Sequence, residues 1–322
     1  MVSSSIRGKN KLSTRALRVV TPMILRLFAA ATLLAGSMSA TLAADPVPDA
    51  AALEAERARQ QQIYYGSGEK HLDLYVVDRG LADYTNVFGE AFDRTLAGLG
   101  PDDRWLDIGA GMGLAIMDYL APIYTPKFAT RPRDQKKART VAMSIEDRRT
   151  PYWHLMAAHQ EARQMQYVHS KRLREYTQEE LGRFQLITDV IGGFSYSENL
   201  SLFMEKTLGF LTVGGTFYTL LQDVRHEAGA NAPHYANAGF LTELKMADGR
   251  ELPVCSWLKS IRCVAVTCQP RTDWKPPVEV YQVRKTCDDV QVPALSPTRF
   301  IAGTPPERGF QVSTPAASAS AQ

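Results

Sequence analysis

The chain has 322 residues, 45% hydrophobic and 22% charged, with 37 Lys and Arg against 34 Asp and Glu for a formal net charge of +3. That balance excludes a disordered chain, which lacks apolar residues to bury, and gives no ground for a nucleic-acid or acidic partner. The length suits one α/β domain with tails, and no internal repeat is visible.

At the N-terminus, Arg7, Lys9, Lys11, Arg15 and Arg18 precede an apolar stretch from Met23 to Leu34 that only Arg26 interrupts. Small residues then lead to Thr41-Leu42-Ala43-Ala44-Asp45. A basic head, an apolar core and a small-residue exit describe a secretory signal peptide cut near Ala43 or Ala44, hence a periplasmic or secreted protein. The core is shorter than the roughly 20 residues of a spanning helix, so removal is expected rather than anchoring. If the segment is not a working signal, the protein is cytoplasmic. Ser37 follows Leu34-Ala35-Gly36 where lipidation needs a cysteine.

Residues 45–80 read as a linker with a helix at Ala50–Gln62, favoured by its Ala, Glu, Arg and Gln content. Leu81 to Leu99 reads as one helix, with Tyr84, Val87, Phe88, Ala91, Phe92, Leu96 and Leu99 at helical spacing. The apolar run Trp105-Leu106-Asp107-Ile108 follows as a strand, then the turn Gly109-Ala110-Gly111-Met112-Gly113 and a helix from Leu114 to Leu120. Strand, glycine turn and helix open a nucleotide-binding α/β domain: glycines let backbone approach a ligand, and the next helix presents free N–H groups to it. A dinucleotide site needs a further glycine three residues after the second, where Leu114 stands instead.

Pro122 to Thr140 is a polar connection with Lys127, Arg131, Arg133, Lys136, Lys137 and Arg139 against Asp134, read as a solvated surface loop. Strands are expected at Thr140–Ile145, Met165–His169, Phe184–Val190 and Thr216–Leu221, and helices at Pro151–Gln164 and Glu198–Leu211. Thr177 and Glu180 form a capping box. Leu221 to Gly249 is loop-like and carries His226 and His234. Cys263–Thr267 and Val278–Arg284 suit the last two strands, and Gly303 to Gln322 is Pro-, Ser- and Ala-rich. Four segments follow: signal peptide 1–44, linker and helix 45–80, folded domain 81–290, disordered tail 291–322.

The order Asp-x-Gly-x-Gly-x-Gly over residues 107–113 resembles motif I of the class I S-adenosylmethionine (SAM)-dependent methyltransferases. The strand ending in Asp189, the helix after it, Gly214-Gly215 and the next strand resemble motif IV and its sequel. This resemblance covers about two thirds of the chain. It implies a Rossmann-like, seven-stranded, mostly parallel sheet with helices on both faces and a closing antiparallel hairpin. It also implies SAM as cofactor, with Asp107, Gly109, Ala110, Gly111 and Gly113 holding its methionine end and Asp189 close by.

By the same resemblance, the acid ending the second strand accepts hydrogen bonds from the ribose hydroxyls, which fits Glu146 first and Asp147 second. The separation from Asp107 is about twice the usual roughly 20 residues, which the polar insertion explains. No acid follows the third strand, where His169-Ser170-Lys171-Arg172 stands in place of the adenine partner. Tyr84 is either a core aromatic or a ligand contact. Asp189 is the candidate base or substrate-orienting group, and Tyr196 and His226 fall where substrate-facing residues would.

The missing Asn/Asp-Pro-Pro-Tyr and Pro-Cys motifs argue against methylation of DNA bases, and no metal-ligand cluster appears. The acceptor is expected to be a small molecule or a protein, with no membrane span left after cleavage. The alternative is an exported protein that keeps the fold without the activity and serves as a binding module. An aminopropyl transferase is a more distant third, lacking its acidic cluster.

Cys255, Cys263, Cys268 and Cys287 are an even set in a chain expected to be exported, so disulfides are expected. Cys263 and Cys268 flank one strand and would stand about 16 Å apart, too far to join. Any bridge therefore uses Cys255 or Cys287, with the pairing otherwise open.

Overall fold

The computed structural model describes residues 78–132, 135–161, 163–197, 199–222, 243–274, 277–296, 298–301 and 309–312. The signal segment, the helix expected at 50–62, His226 and His234 lie outside them. Among the described residues, no helix is long and apolar enough to cross a membrane.

The expected first helix is two helices, α1 (Leu81–Phe88) and α2 (Glu90–Gly98). Gly89 breaks them: its φ of 75° is open to glycine and its N–H closes α1 on the Thr85 carbonyl at 2.9 Å. Tyr84, Val87, Phe88, Phe92, Leu96 and Leu99 are buried as expected, but the break turns Ala91 outward.

The alternation then runs β1 (Arg104–Ile108), α3 (Leu114–Leu120), β2 (Arg139–Met143), α4 (Pro151–Ala158), β3 (Met165–Val168), α5 (Gln178–Leu181), β4 (Phe184–Asp189), α6 (Gly193–Tyr196) and α7 (Leu200–Phe210). Thr150 caps α4 by accepting the Trp153 N–H, and Thr177 and Glu180 cap α5 reciprocally. The helix expected to reach Gln164 stops at Ala158, because Arg163 at φ 66° turns the chain into β3.

β5 (Leu211–Gln222) starts directly from α7, five residues earlier than expected. Its Gly214-Gly215 lies within a register shift against β4, a local bulge that glycine at φ 87° permits. β6 (Glu243–Lys245), β7 (Glu251–Pro253), α8 (Val254–Ser260), β8 (Val264–Arg271) and β9 (Val278–Lys285) follow. The main sheet has seven strands in the order β3-β2-β1-β4-β5-β9-β8. β1 to β5 pair in parallel, whereas β9 runs antiparallel to both its neighbours.

This is the expected Rossmann-like α/β architecture with its closing antiparallel hairpin. One face packs α1, α2, α3 and α4 around Trp105, Phe92 and Tyr119, and the other packs α7 and α8 around Phe217, Met204 and Trp257. Such strands, buried on both faces, need near-continuous apolar runs, which β1 and β4 supply.

Two expectations are corrected. The tail expected to be disordered from 291 contains a two-stranded antiparallel ribbon, β10 (Thr298–Ile301) with β11 (Gly309–Val312). Residues just before it are tied down, with the Pro293 carbonyl accepting the Trp257 indole N–H at 3.0 Å. The basic connection after α3 is not all solvated either. Arg131 donates to the Ala97 and Leu99 carbonyls at 2.7 Å, and Lys137 donates to the Ala121 carbonyl at 2.6 Å. These cations satisfy carbonyls that helix and loop ends leave open. As expected, each disulfide uses Cys255 or Cys287: Cys255 pairs with Cys268 and Cys263 with Cys287, tying α8 to β8 and the start of β8 to the end of β9.

Candidate functional site

In sheets of this kind, side chains and loops at the C-terminal strand ends face the ligand. Here the glycine turn leaves β1 beside the end of β4, where Ile108 is in register with Asp189. Gly109 approaches the second loop so closely that a Cβ would stand 2.9 Å from the Gly192 Cα. At Gly113, with φ of 77°, a Cβ would lie 2.2 Å from the buried Trp153 ring. Neither position accepts a side chain without displacing its neighbour.

The turn is pinned from three directions. Ala110 donates its N–H to the Met143 carbonyl at 3.0 Å, fastening it to the end of β2. The Tyr167 hydroxyl, from β3, donates to the Gly111 carbonyl at 2.7 Å while its ring packs edge-on against Trp153. Asp78, just before α1, accepts the Met112 N–H at 2.8 Å. Its other oxygen lies 3.6 Å from the Arg148 guanidinium.

Asp107 lies fully buried behind this turn. Both its oxygens accept the Tyr84 hydroxyl at 2.9 Å, and Oδ1 also accepts the Thr188 hydroxyl at 2.7 Å. Thr188 in turn accepts the Trp105 indole N–H at 2.8 Å. Burial pushes the Asp107 carboxyl up to about 7; Thr188 and Tyr84 pull it down, and the Asp189 charge pushes it up again. Burial likewise raises the Tyr84 hydroxyl, helped by the Asp107 charge. Tyr84 is thus both a core aromatic and the partner of the motif acid.

Asp189 is also fully buried and points into its own loop. Its Oδ1 accepts the Gly192 N–H at 2.8 Å and its Oδ2 the Phe194 N–H at 2.9 Å. Burial raises this carboxyl to about 7 against the opposing pull of the loop amides. With both oxygens committed to backbone, Asp189 shapes the loop that meets Gly109.

Beyond β2, Glu146 is partly buried and Asp147 exposed. Asp147 is engaged by Arg149 at 2.6 Å and lies 3.6 Å from the His169 imidazole. Hydrogen bonds from Arg149 hold its carboxyl well below the usual carboxylate range. The structure therefore gathers Asp107, Gly109, Ala110, Gly111, Gly113 and Asp189 at adjacent strand ends, with Glu146 on the next strand's exit. Tyr196 ends α6, and its side chain, like His226, lies outside the described residues.

Sequence reasoning missed Asp78, Trp153, Tyr167 and Thr188. Only Thr188 carried a local signal, a hydroxyl one residue before the motif acid of β4. The others reach the turn from distant segments that no spacing rule connects. The turn has left-handed residues at Gly109, Gly111 and Gly113, and the partly buried Glu146 stands at the exit of the neighbouring strand.

No protein-family model matches the sequence. No curated protein matches it either. Solved structures of similar fold include the 1,6-didemethyltoxoflavin N1-methyltransferase of Burkholderia thailandensis, at 15% identity over 74% of this chain and 89% of that one, with a TM-score of 0.43. A second is a class I SAM-dependent methyltransferase assigned in Listeria monocytogenes, at 11% identity over 75% of this chain and 69% of that one, TM-score 0.42. A third is an rRNA methylase of Streptococcus thermophilus, at 12% identity over 61% of this chain and 95% of that one, TM-score 0.38.

Proposed function

We propose that the chain is a SAM-dependent methyltransferase acting on a small-molecule or protein acceptor. The observation that carries this reading is the turn over residues 109–113, preceded by buried Asp107 and leaving the interior strand β1 of a sheet whose penultimate position holds the antiparallel β9. In this reading Gly109 to Gly113 hold the methionine end, Asp107 anchors the end of β1 that leads into the turn through Tyr84 and Thr188, and Glu146 takes the ribose. Glu146 is preferred to Asp147 because it is partly buried at the exit of β2, whereas Asp147 is exposed. SAM supplies an electrophilic methyl group by in-line displacement, so the chain's own task is to orient the ligand and exclude water.

Calorimetric titration of SAM and S-adenosylhomocysteine into the purified protein tests the reading. Micromolar binding, about 8 kcal/mol, is expected; a folded sample that binds neither would favour the inactive-fold alternative. The basic head and apolar core of residues 7–34 further support export. A reporter enzyme that works only outside the cytoplasm, fused after Asp45, should be active, and silence would refute export.

A further inference from the structure

The second aspect of the turn is its charge. A glycine turn whose successive N–H groups point outward is ordinarily an anion site, which is how such loops hold phosphates. In this chain the anion is already present and covalently attached. The Asp78 carboxylate takes the Met112 N–H at 2.8 Å, and its oxygen lies 2.3 Å from where a Gly111 Cβ would project, directly over the turn. Arg148, a second group suited to phosphate, is paired with the same carboxylate at 3.6 Å. Both groups are largely withdrawn from water, with Asp78 11% and Arg148 30% exposed.

We infer that Asp78 is a specificity-determining residue that closes the glycine turn to phosphate-bearing ligands and selects one carrying an ammonium group. The inference rests on the reading of this turn as the seat of SAM's amino-acid end. An incoming pyrophosphate meets a carboxylate where it needs an N–H, and it finds the nearby guanidinium neutralised. A ligand ammonium meets an acceptor pre-positioned by the Met112 N–H and by the ion pair with Arg148. The discrimination is built from repulsion of one class as well as attraction of the other. It complements the sequence-level absence of the further glycine that a dinucleotide site requires.

The test is isothermal titration of SAM, S-adenosylhomocysteine and inorganic pyrophosphate into the full chain and into Asp78→Asn and Arg148→Met. The wild type should bind both adenosyl ligands and not pyrophosphate. Asp78→Asn should weaken both adenosyl ligands about tenfold, since both carry the ammonium, and should gain pyrophosphate binding because the negative charge over the turn is removed and Arg148 loses its ion pair. Arg148→Met should keep adenosyl binding and still refuse pyrophosphate, which tests the idea even if Asp78→Asn fails to fold. Tighter SAM binding in Asp78→Asn would make Asp78 a plug and overturn the inference. Loss of SAM binding in Arg148→Met would do so too, by making the arginine the ligand's partner. If no form binds an adenosyl ligand yet Asp78→Asn gains pyrophosphate, the methyltransferase reading falls while the exclusion by Asp78 stands.

Discussion

Replacing Asp107 by Asn should change how stability depends on pH more than it changes stability itself. Burial pushes the Asp107 carboxyl up to about 7, whereas in the unfolded chain such a group ionises near about 4. Between those values the folded state keeps a proton that the unfolded state has released. Stability therefore falls as pH rises through that window and levels off above it. One such group contributes up to about 1.4 kcal/mol per pH unit, hence about 4 kcal/mol across the window.

Asp189, also buried and raised to about 7, adds to the slope with the same sign. Acids held low, such as Asp147 and Asp273, are ionised in both states above about pH 5 and add none there. The amide introduced by Asp107→Asn would retain an oxygen for the Tyr84 and Thr188 hydroxyls, which donate at 2.9 and 2.7 Å in the wild type. Urea unfolding followed by tryptophan fluorescence between about pH 5 and pH 8 reads the slope directly. The wild type should lose stability steadily to about pH 7, and Asp107→Asn should show about half that loss. Parallel curves for the two proteins would refute the reasoning, because they would mean Asp107 does not change its protonation on folding in this range.

Gly113→Ala should cost about 3 kcal/mol, combining a left-handed alanine with overlap on the Trp153 ring, and should lower the melting temperature measured by differential scanning fluorimetry. Glu146→Ala should weaken SAM binding about tenfold by calorimetry while Asp147→Ala leaves it unchanged; the reverse result would move the ribose site one residue on. Reduction with a dithiol should cost about 3 kcal/mol for each bridge opened, given loops closed at separations of 13 and 24 residues. A thiol assay on the native protein should find no titratable cysteine among the four until reductant is added.

The strand–turn–helix at residues 104–120 and the strand ending in Asp189 were legible because both follow from local pattern: apolar runs of strand length punctuated by glycine. The capping box at Thr177 was legible for the same reason. The break at Gly89 was not, since apolar spacing continues across it and an isolated glycine inside a helical pattern is often tolerated. β5 was underestimated because Gly214-Gly215 reads as a stop, whereas the bulge against β4 lets the strand run through. In the site, the residues bonded to the turn come from 34 and 56 positions away for Asp78 and Tyr167. Tertiary bonds of that reach leave no trace in sequence spacing. The cysteine pairing was narrowed by strand length alone and completed only by the placement of α8 against β8.

The position of β9 has a consequence for synthesis. It is the last of the seven sheet strands to leave the ribosome, yet it fills an interior slot between β5 and β8. Until Val278 to Lys285 have emerged, β5 shows an unpaired ladder from Thr216 to Gln222, and β8 has no neighbour in the sheet. Bare strand edges of this kind template pairing with other chains. A nascent or truncated chain ending before Val278 is thus built to associate with its own kind, and arrival of that single strand converts two sticky margins into one closed sheet.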